Sequence, residues 1–163
     1  MLIAIYQDII IKAGGDLFMA GATMGVLPKR EDIEPKYKWK LEDIYESDSK
    51  WEEDFVKVKE LAGKAGEFKE TLGESDTNLL NCLKFCDSML SLCDKVFVYA
   101  RMRRDEDNSN HVYQAFTDKA LSLGTQVYAA ISFVVPEIIS IPEGKIREFL
   151  EKNSELKLYW HYI

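Results

Sequence analysis

Two histidines are the residues of this sequence best suited to bind a metal or to transfer a proton near neutral pH. His111 is followed by Val112 and Tyr113, and His161 is followed by Tyr162. Neither therefore belongs to an H-E-x-x-H pattern, which would place two imidazoles and a glutamate on one helix for zinc-assisted hydrolysis. We predict that His111 is an exposed residue in the first turn of a helix.

Three cysteines form the second group with possible chemistry. Cys82, Cys86 and Cys93 are four and seven residues apart, a spacing that places all three on the same face of a helix. A metal site would need a fourth ligand, and neither histidine lies at a helical spacing from them. We predict buried thiols that act as small apolar side chains in a reducing cytoplasm. A redox or metal role is the alternative.

Carboxylates are abundant in two short runs, residues 52–54 and 105–107, which lie where solvated caps and loops are expected. The sequence also lacks a glycine-rich phosphate loop and a G-x-S-x-G turn. We therefore predict no catalytic, cofactor-binding or metal-binding residue in this chain. Four aromatic residues are expected in the core, with the lining of a groove as the alternative: Trp51, Tyr99, Tyr113 and Tyr128.

The charge balance bears on possible partners. The 163 residues carry a net charge of −7, which argues against nucleic-acid binding because that needs a basic surface. The one basic run, residues 101–104, is followed at once by three acidic residues that can neutralise it. The apolar stretch of residues 1–11 is too short to span a membrane. We predict neither a nucleic-acid partner nor a membrane partner.

The first 18 residues differ from the rest. Residues 13–16 read Ala-Gly-Gly-Asp, which purine-rich codons resembling a bacterial ribosome-binding sequence can encode. We expect translation to begin at Met19, or less favourably at Met24, with residues 1–18 as translated upstream DNA. An ordinary apolar N-terminal segment is the alternative. Residues 19–40 are predicted to form an extended leader, and residues 41–163 a helical domain.

Apolar residues recur at helical spacing through that domain, and glycine and proline are scarce, at 9 and 4. We predict an all-α antiparallel bundle of about three long helices with short C-terminal helices and heptad-like packing. The first helix covers residues 50–65 with Ser49 and Glu52 as a capping box. The second runs from residues 75–77 to Arg104, and the third starts near Asn108 or Asn110.

The predicted core rows repeat every seven residues. In the second helix they are Leu79, Cys86, Cys93 and Ala100, beside Leu83, Leu90 and Phe97; in the third they are Tyr113, Ala120, Val127 and Val134, beside Gly124, Ile131 and Ile138.

Four later features complete the expected layout. Gly124 is expected at a close helix–helix approach, since it costs about 1 kcal/mol relative to alanine. Pro136 should kink or end the third helix. Residues 141–143 should start another helix, and residues 154–163 a last one, with an apolar end that looks cut.

Several ordered motifs resemble one enzyme family. Residues 27–30 read Leu-Pro-Lys-Arg, residues 39–51 follow the pattern W-x-L-x-D-[LI]-Y-x-S-x-x-x-W, and residues 99–114 follow Y-A-x-M…D…N…Y-Q. Residues 133–142 follow F-x-x-P-E-[LI]-x…I-P. Together, over residues 27–163, these motifs resemble the N-terminal helical region of the oligoendopeptidase F family, whose members are similar to thimet-type oligopeptidases.

The resemblance implies a cytoplasmic zinc metallopeptidase that cuts short peptides inside a deep channel, with this region as part of the channel wall. No zinc or catalytic residue of that family maps onto this sequence. Zinc is therefore expected in the full-length parent and no cofactor in this chain, which should be inactive alone. Its expected partners are the missing C-terminal catalytic domain and short peptides. The alternative is a non-catalytic helical-bundle interaction protein.

Overall fold

The computed structural model describes Pro28, residues 30–161 and Ile163. The expected start at Met19 and the proposed extension of residues 1–18 lie outside these residues. The chain divides into two units, Met1–Lys38 and Trp39–Ile163. The described part of the first unit forms two single 3-10 turns, Arg30–Asp32 and Pro35–Tyr37, within the predicted leader.

Five helices make up the second unit, and no strand occurs in the part of the chain that the structure describes. They are α1 (Asp48–Lys64), α2 (Asp76–Glu106), α3 (His111–Ala130), α4 (Val134–Ser140) and α5 (Glu143–Lys152). Short 3-10 segments add Leu41–Asp43, Ala65–Phe68 and Ser154–Tyr159. The all-α prediction is confirmed.

The start of α1 differs from the predicted capping box. Ser47 is the N-cap: its backbone is extended, and its Oγ accepts a hydrogen bond from the amide of Lys50 at 3.3 Å. Ser49 already lies inside the helix, so its hydroxyl cannot cap the exposed amides of the first turn. In the sequence, Ser47 and Ser49 both precede the same helical run, so either could be its N-cap. The extended backbone at Ser47 identifies this residue as the N-cap.

The predicted starts of the next two helices agree with the structure. Ser75 caps α2 by accepting from the amide of Asn78 at 3.1 Å. Asn110 caps α3 by accepting from the amide of Val112 at 3.0 Å. The four residues between α2 and α3 reverse the chain, and the Thr117 hydroxyl donates to the Ala100 carbonyl at 3.2 Å across the pair. The two helices are thus antiparallel neighbours.

Pro136 neither kinks nor ends α3, which is a second correction. The helix ends at Ala130, a turn follows, and Pro136 occupies the third position of α4. Its missing N–H falls in a first turn, where the backbone donors have no partner inside the helix anyway. Pro142 directly precedes α5 as predicted. The last segment is a 3-10 helix that buries Leu156 but leaves Trp160 65% exposed.

The core consists of two apolar clusters that share the length of α2. Cluster one joins the first part of the domain with the second half of α2 and with α3: Leu41, Tyr45, Trp51, Val58, Met89, Cys93, Val96, Tyr99, Ala100, Ala120, Leu123 and Val127. Cluster two joins the first half of α2 with the C-terminal elements: Leu72, Leu79, Leu80, Cys82, Leu83, Cys86, Val134, Ile138, Ile141, Phe149 and Leu156.

Gly124 is the exception to the predicted packing. A Cβ built on this residue meets no atom within 4 Å, so no neighbouring helix approaches it. The expected close approach inside the bundle is therefore wrong. In the second predicted helix, the row of Leu79, Cys86, Cys93 and Ala100 is buried as expected. In the neighbouring row Leu83 is buried, whereas Leu90 and Phe97 are only half-buried.

Candidate functional site

The two histidines stay apart from any cluster of ligands. His111 is the first residue of α3 and is exposed, as predicted, and His161 is exposed beyond the last 3-10 segment. Among the described residues, no group of three or more histidine, cysteine or acidic side chains is placed to hold a metal ion.

The three cysteines are buried and free of disulfide bonds. A hydrogen bond to Cys86 and burial raise the pKa of Cys82, and burial raises the pKa of Cys93. The hydrogen bond from Cys82 lowers the pKa of Cys86, against the effect of burial. All three thiols belong to the apolar core, at most 7% exposed, so the prediction of buried small apolar side chains is confirmed.

A cluster of six polar side chains lies where the start of α1, the end of α2 and the start of α3 meet. We call it the Arg103 cluster; it consists of Glu42, Asp48, Tyr99, Arg103, Glu106 and Tyr113. Arg103 donates from Nε to the Tyr99 hydroxyl at 3.1 Å, from one terminal nitrogen to Glu106 at 3.1 Å and from the other to Glu42 at 2.8 Å.

Asp48 completes the cluster from α1. Its two oxygens accept hydrogen bonds from the Tyr99 hydroxyl at 2.9 Å and from the Tyr113 hydroxyl at 3.3 Å. The guanidinium of Arg103 also lies over the Tyr99 ring, 5.2 Å from its centre. Three helices are thereby joined through one cation, two phenols and their carboxylates.

The surroundings raise the pKa values of the Arg103 guanidinium and of the two phenols in the Arg103 cluster. Burial lowers the pKa of Arg103, but hydrogen bonds to Tyr99, Glu42 and Glu106 outweigh it and the pKa is raised. Burial is also the main cause of the raised pKa values of Tyr99 and Tyr113. The raised pKa values mean that Arg103, Tyr99 and Tyr113 are not poised to exchange a proton near neutral pH. The arrangement is a clamp between helices.

A second polar contact, absent from the sequence predictions, is made by Glu137 of α4. Its two carboxylate oxygens accept hydrogen bonds from the backbone amides of Glu70 at 2.9 Å and Leu72 at 2.8 Å. Glu70 has a φ of 67°, in the left-handed region, so this turn is one that needs support. Both oxygens serve the backbone, which leaves Glu137 poorly suited to act as a general base.

A cleft of about 400 Å³ lies beside this contact, lined in part by Gly73, Ser140 and Lys145. The acidic and basic runs found in the sequence make both local and long-range pairs, since Arg103 binds Glu42 and Lys119 pairs with Glu52 at 3.6 Å. Asp54 accepts from the Tyr45 hydroxyl at 2.9 Å, and Arg104 pairs with Asp105 at 2.8 Å.

The four aromatic candidates divide between core and surface. Trp51 and Tyr99 are fully buried and Tyr113 is half-buried. Trp51 also donates from its indole nitrogen to the Val96 carbonyl at 2.8 Å. Tyr128 is 64% exposed, so its expected place in the core is wrong. Period 3.6 placed it only at the edge of the buried stripe, where sequence alone does not separate core from surface.

The fold and the polar contacts together define a helical-bundle domain in which the motif residues connect the helices of the domain to one another. No protein-family model matches the chain. Oligopeptidase PepF of Bacillus subtilis is 39% identical over 137 residues, which make up 84% of this chain but 20% of that relative. Group B oligopeptidase PepB of Streptococcus agalactiae is 31% identical over 134 residues, 82% of this chain and 22% of that relative.

A solved structure agrees with these relatives. The crystal structure of oligoendopeptidase-F from Enterococcus faecium matches with a TM-score of 0.65 and 28% identity, over 71% of this chain and 23% of that chain. The chain is thus homologous to the N-terminal helical region of the oligoendopeptidase F family, and the resemblance stated from the sequence motifs is confirmed. It spans about a fifth of the length of the curated relatives it matches.

Proposed function

We propose that this chain is the N-terminal helical domain of a cytoplasmic oligoendopeptidase, where it forms part of the wall of the channel that admits short peptides. The hydrolysis itself belongs to the larger portion of such an enzyme. The chain alone does not cleave peptides. The observation that supports this most is the combination of 39% identity over 84% of this chain with coverage of only 20% of the relative.

The polar contacts of the described residues agree with a supporting role. The motif residues Tyr99 and Tyr113 are fixed in the Arg103 cluster, and the motif residue Glu137 holds a backbone turn. Trp51 is stacked on Phe116 with ring centres 4.2 Å apart. These residues keep the helices in place, and a channel wall needs such rigidity more than it needs reactive groups.

Zinc does not fit the described residues. A catalytic zinc site takes three protein ligands and keeps an open position for water. Both histidines are exposed, His111 at the start of α3 and His161 beyond the last 3-10 segment. No group of three ligand side chains that could hold a metal occurs among the described residues. We therefore assign no catalytic step and no zinc ligand to them, and propose that zinc is bound in the portion that this chain does not span.

A hybrid enzyme tests the proposal. Residues 27–163 would replace the matching segment of the Bacillus subtilis relative, and cleavage of quenched fluorescent peptides would be compared with that of the relative itself and of this chain alone with added zinc. We expect peptide turnover by the hybrid and none by the isolated chain. Turnover by the isolated chain, or a folded hybrid without activity, would contradict the proposal and favour the non-catalytic interaction protein.

A further inference from the structure

The outward flank of α3 has an unusual composition for a surface that faces water. Residues 120–136 contain no charged side chain, in a chain of which 30% is charged. At that frequency about five charges would be expected among 17 residues, since exposed helix faces normally carry them. Yet Leu121 is 51% and Tyr128 is 64% exposed. Seven residues separate them, so they lie within about 20° of each other around the helix.

Gly124 lies between these two residues on the same flank. Its place in the middle of a helix costs stability, because glycine loses more backbone freedom than any other residue. The bundle does not use the space that glycine leaves, since a Cβ there meets no atom within 4 Å. A flank with two exposed apolar residues and a bare backbone between them is therefore shaped for an approach from outside this chain.

Exposed apolar residues also occur on α4. Val135 is 49% and Ile139 is 77% exposed, and a spacing of four residues places them on one face of that helix. Their neighbours Val134 and Ile138 are buried in cluster two. Both helices thus have one side in the core and an adjoining uncharged side that no described residue covers.

We propose that this surface, Leu121, Gly124, Tyr128, Val135 and Ile139, docks the larger portion of an oligoendopeptidase F chain. The inference rests on the proposed function and adds to it the place of contact. The solved relative contains this fold as 23% of a single chain, so a large remainder is available to cover one side of it. An uncharged apolar face fits a protein partner of the same character, whereas a nucleic acid would require basic residues.

A membrane is the other apolar environment that such a surface could contact. By length and composition, the stretch 111–140 is the one candidate membrane span among the residues that the structure describes. Against this, the turn between α3 and α4 interrupts the helix, and Ala120, Leu123 and Val127 pack in the core. Backbone groups freed by such a turn have no partner in lipid, which favours the protein partner.

Photo-crosslinking in the hybrid enzyme described above tests the contact. Tyr128→p-benzoylphenylalanine places the probe on the surface, and Val112→p-benzoylphenylalanine is the matched control. Val112 is 56% exposed in the same helix, and sixteen residues of separation turn it about 160° away from Tyr128. We expect crosslinks from position 128 into the larger portion and none from position 112.

A glycine substitution gives a second readout. Gly124→Gln should raise the melting temperature of the full isolated chain by about 2 °C, because glutamine favours the helix and has room. In the hybrid the same change should lower the melting temperature and the turnover, because the side chain blocks the approach. Gly144 in α5 also has open space where a Cβ would lie. Gly144→Gln should therefore lower neither the melting temperature nor the turnover of the hybrid.

Four results would overturn the inference. The first is an active hybrid in which the probe at position 128 forms no crosslink to the larger portion, and the second is crosslinks between two copies of the chain. The third is flotation of the full chain with phospholipid vesicles that depends on this surface. The fourth is a hybrid whose melting temperature and turnover are unchanged by Gly124→Gln. The proposed function is tested by the activity of the hybrid. An active hybrid together with any of these four results would therefore refute the docking surface but not the proposed function.

Discussion

Replacement of Trp51 should destabilise the domain more than any other single tryptophan change. The side chain is fully buried in cluster one, stacks on Phe116 and Phe55 with ring centres 4.2 and 5.3 Å apart, and donates a hydrogen bond to the Val96 carbonyl. It therefore joins α1 to both α2 and α3. The change to test is Trp51→Ala, with Trp51→Phe as the milder variant.

The magnitude follows from what each change removes. Truncation of a buried tryptophan to alanine costs about 3–5 kcal/mol through lost burial and the cavity left behind. In Trp51→Phe an aromatic ring remains but the N–H is lost, so we expect about 2 kcal/mol from one hydrogen bond and a smaller void. Since α2 continues past Val96, the carbonyl of that residue keeps its partner within the helix, which limits the cost.

Urea unfolding followed by circular dichroism measures both values. Trp160→Ala is the matched control, because Trp160 is 65% exposed and its replacement should cost under about 0.5 kcal/mol. At about 2–4 °C per kcal/mol, Trp51→Ala should also lower the melting temperature by roughly 10 °C. Equal losses for Trp51→Ala and Trp160→Ala would refute the assignment of Trp51 to the centre of cluster one.

Three further changes probe the polar contacts. Glu137→Gln should cost about 1–2 kcal/mol and speed hydrogen exchange at the Leu72 amide, which loses a charged acceptor. Arg103→Met should cost about 2 kcal/mol, because it leaves Glu42, Glu106 and the Tyr99 hydroxyl without their shared donor. On acidification, the Asp76→Asn variant should lose less unfolding free energy than the unmodified chain does. Lys152 lowers the pKa of Asp76 from 3.8, so this carboxylate stabilises the fold above that value, and its contribution disappears as the pH falls through the lowered pKa.

Each of these changes has an exposed counterpart. Glu151→Gln, Arg101→Met and Asp118→Asn alter residues of the same types at exposed positions and should change the unfolding free energy by under about 0.5 kcal/mol. Thermal melts from pH 7 to pH 2.5 would compare Asp76→Asn with the unmodified chain. A stability difference between these two that does not shrink on acidification would show that Asp76 is not stabilised as an anion.

Periodicity predicted most of the bundle because burial acts on whole rows of residues. Leu79, Cys86, Cys93 and Ala100 recur every seven positions and are all buried. The caps Ser75 and Asn110 were predictable because they stand directly before apolar helical runs. The choice of Ser47 over Ser49 was not, since both serines precede the same run and only the backbone angles distinguish them.

Contacts between distant residues escaped prediction for a different reason. Glu137 binds the amide of Leu72, which is 65 residues away, and Arg103 reaches Glu42 across 61 residues. No local pattern records such a pairing. The prediction for Pro136 failed because the third helix ends before it and Pro136 lies in the first turn of α4. The prediction for Gly124 failed because its row was expected to face a neighbouring helix, whereas a Cβ there meets only open space.

The two-cluster core also sets an order in which the domain can assemble during synthesis. Every buried member of cluster one lies between Leu41 and Val127, whereas cluster two joins residues 72–86 to residues 134–156. A growing chain therefore holds all of cluster one before α4 exists, while Leu79 and Leu83 at the start of α2 still lack their partners. A chain that has emerged from the ribosome only to a point within residues 128–156 would present one finished core and one bare helix end, which is the kind of apolar surface that chaperones bind.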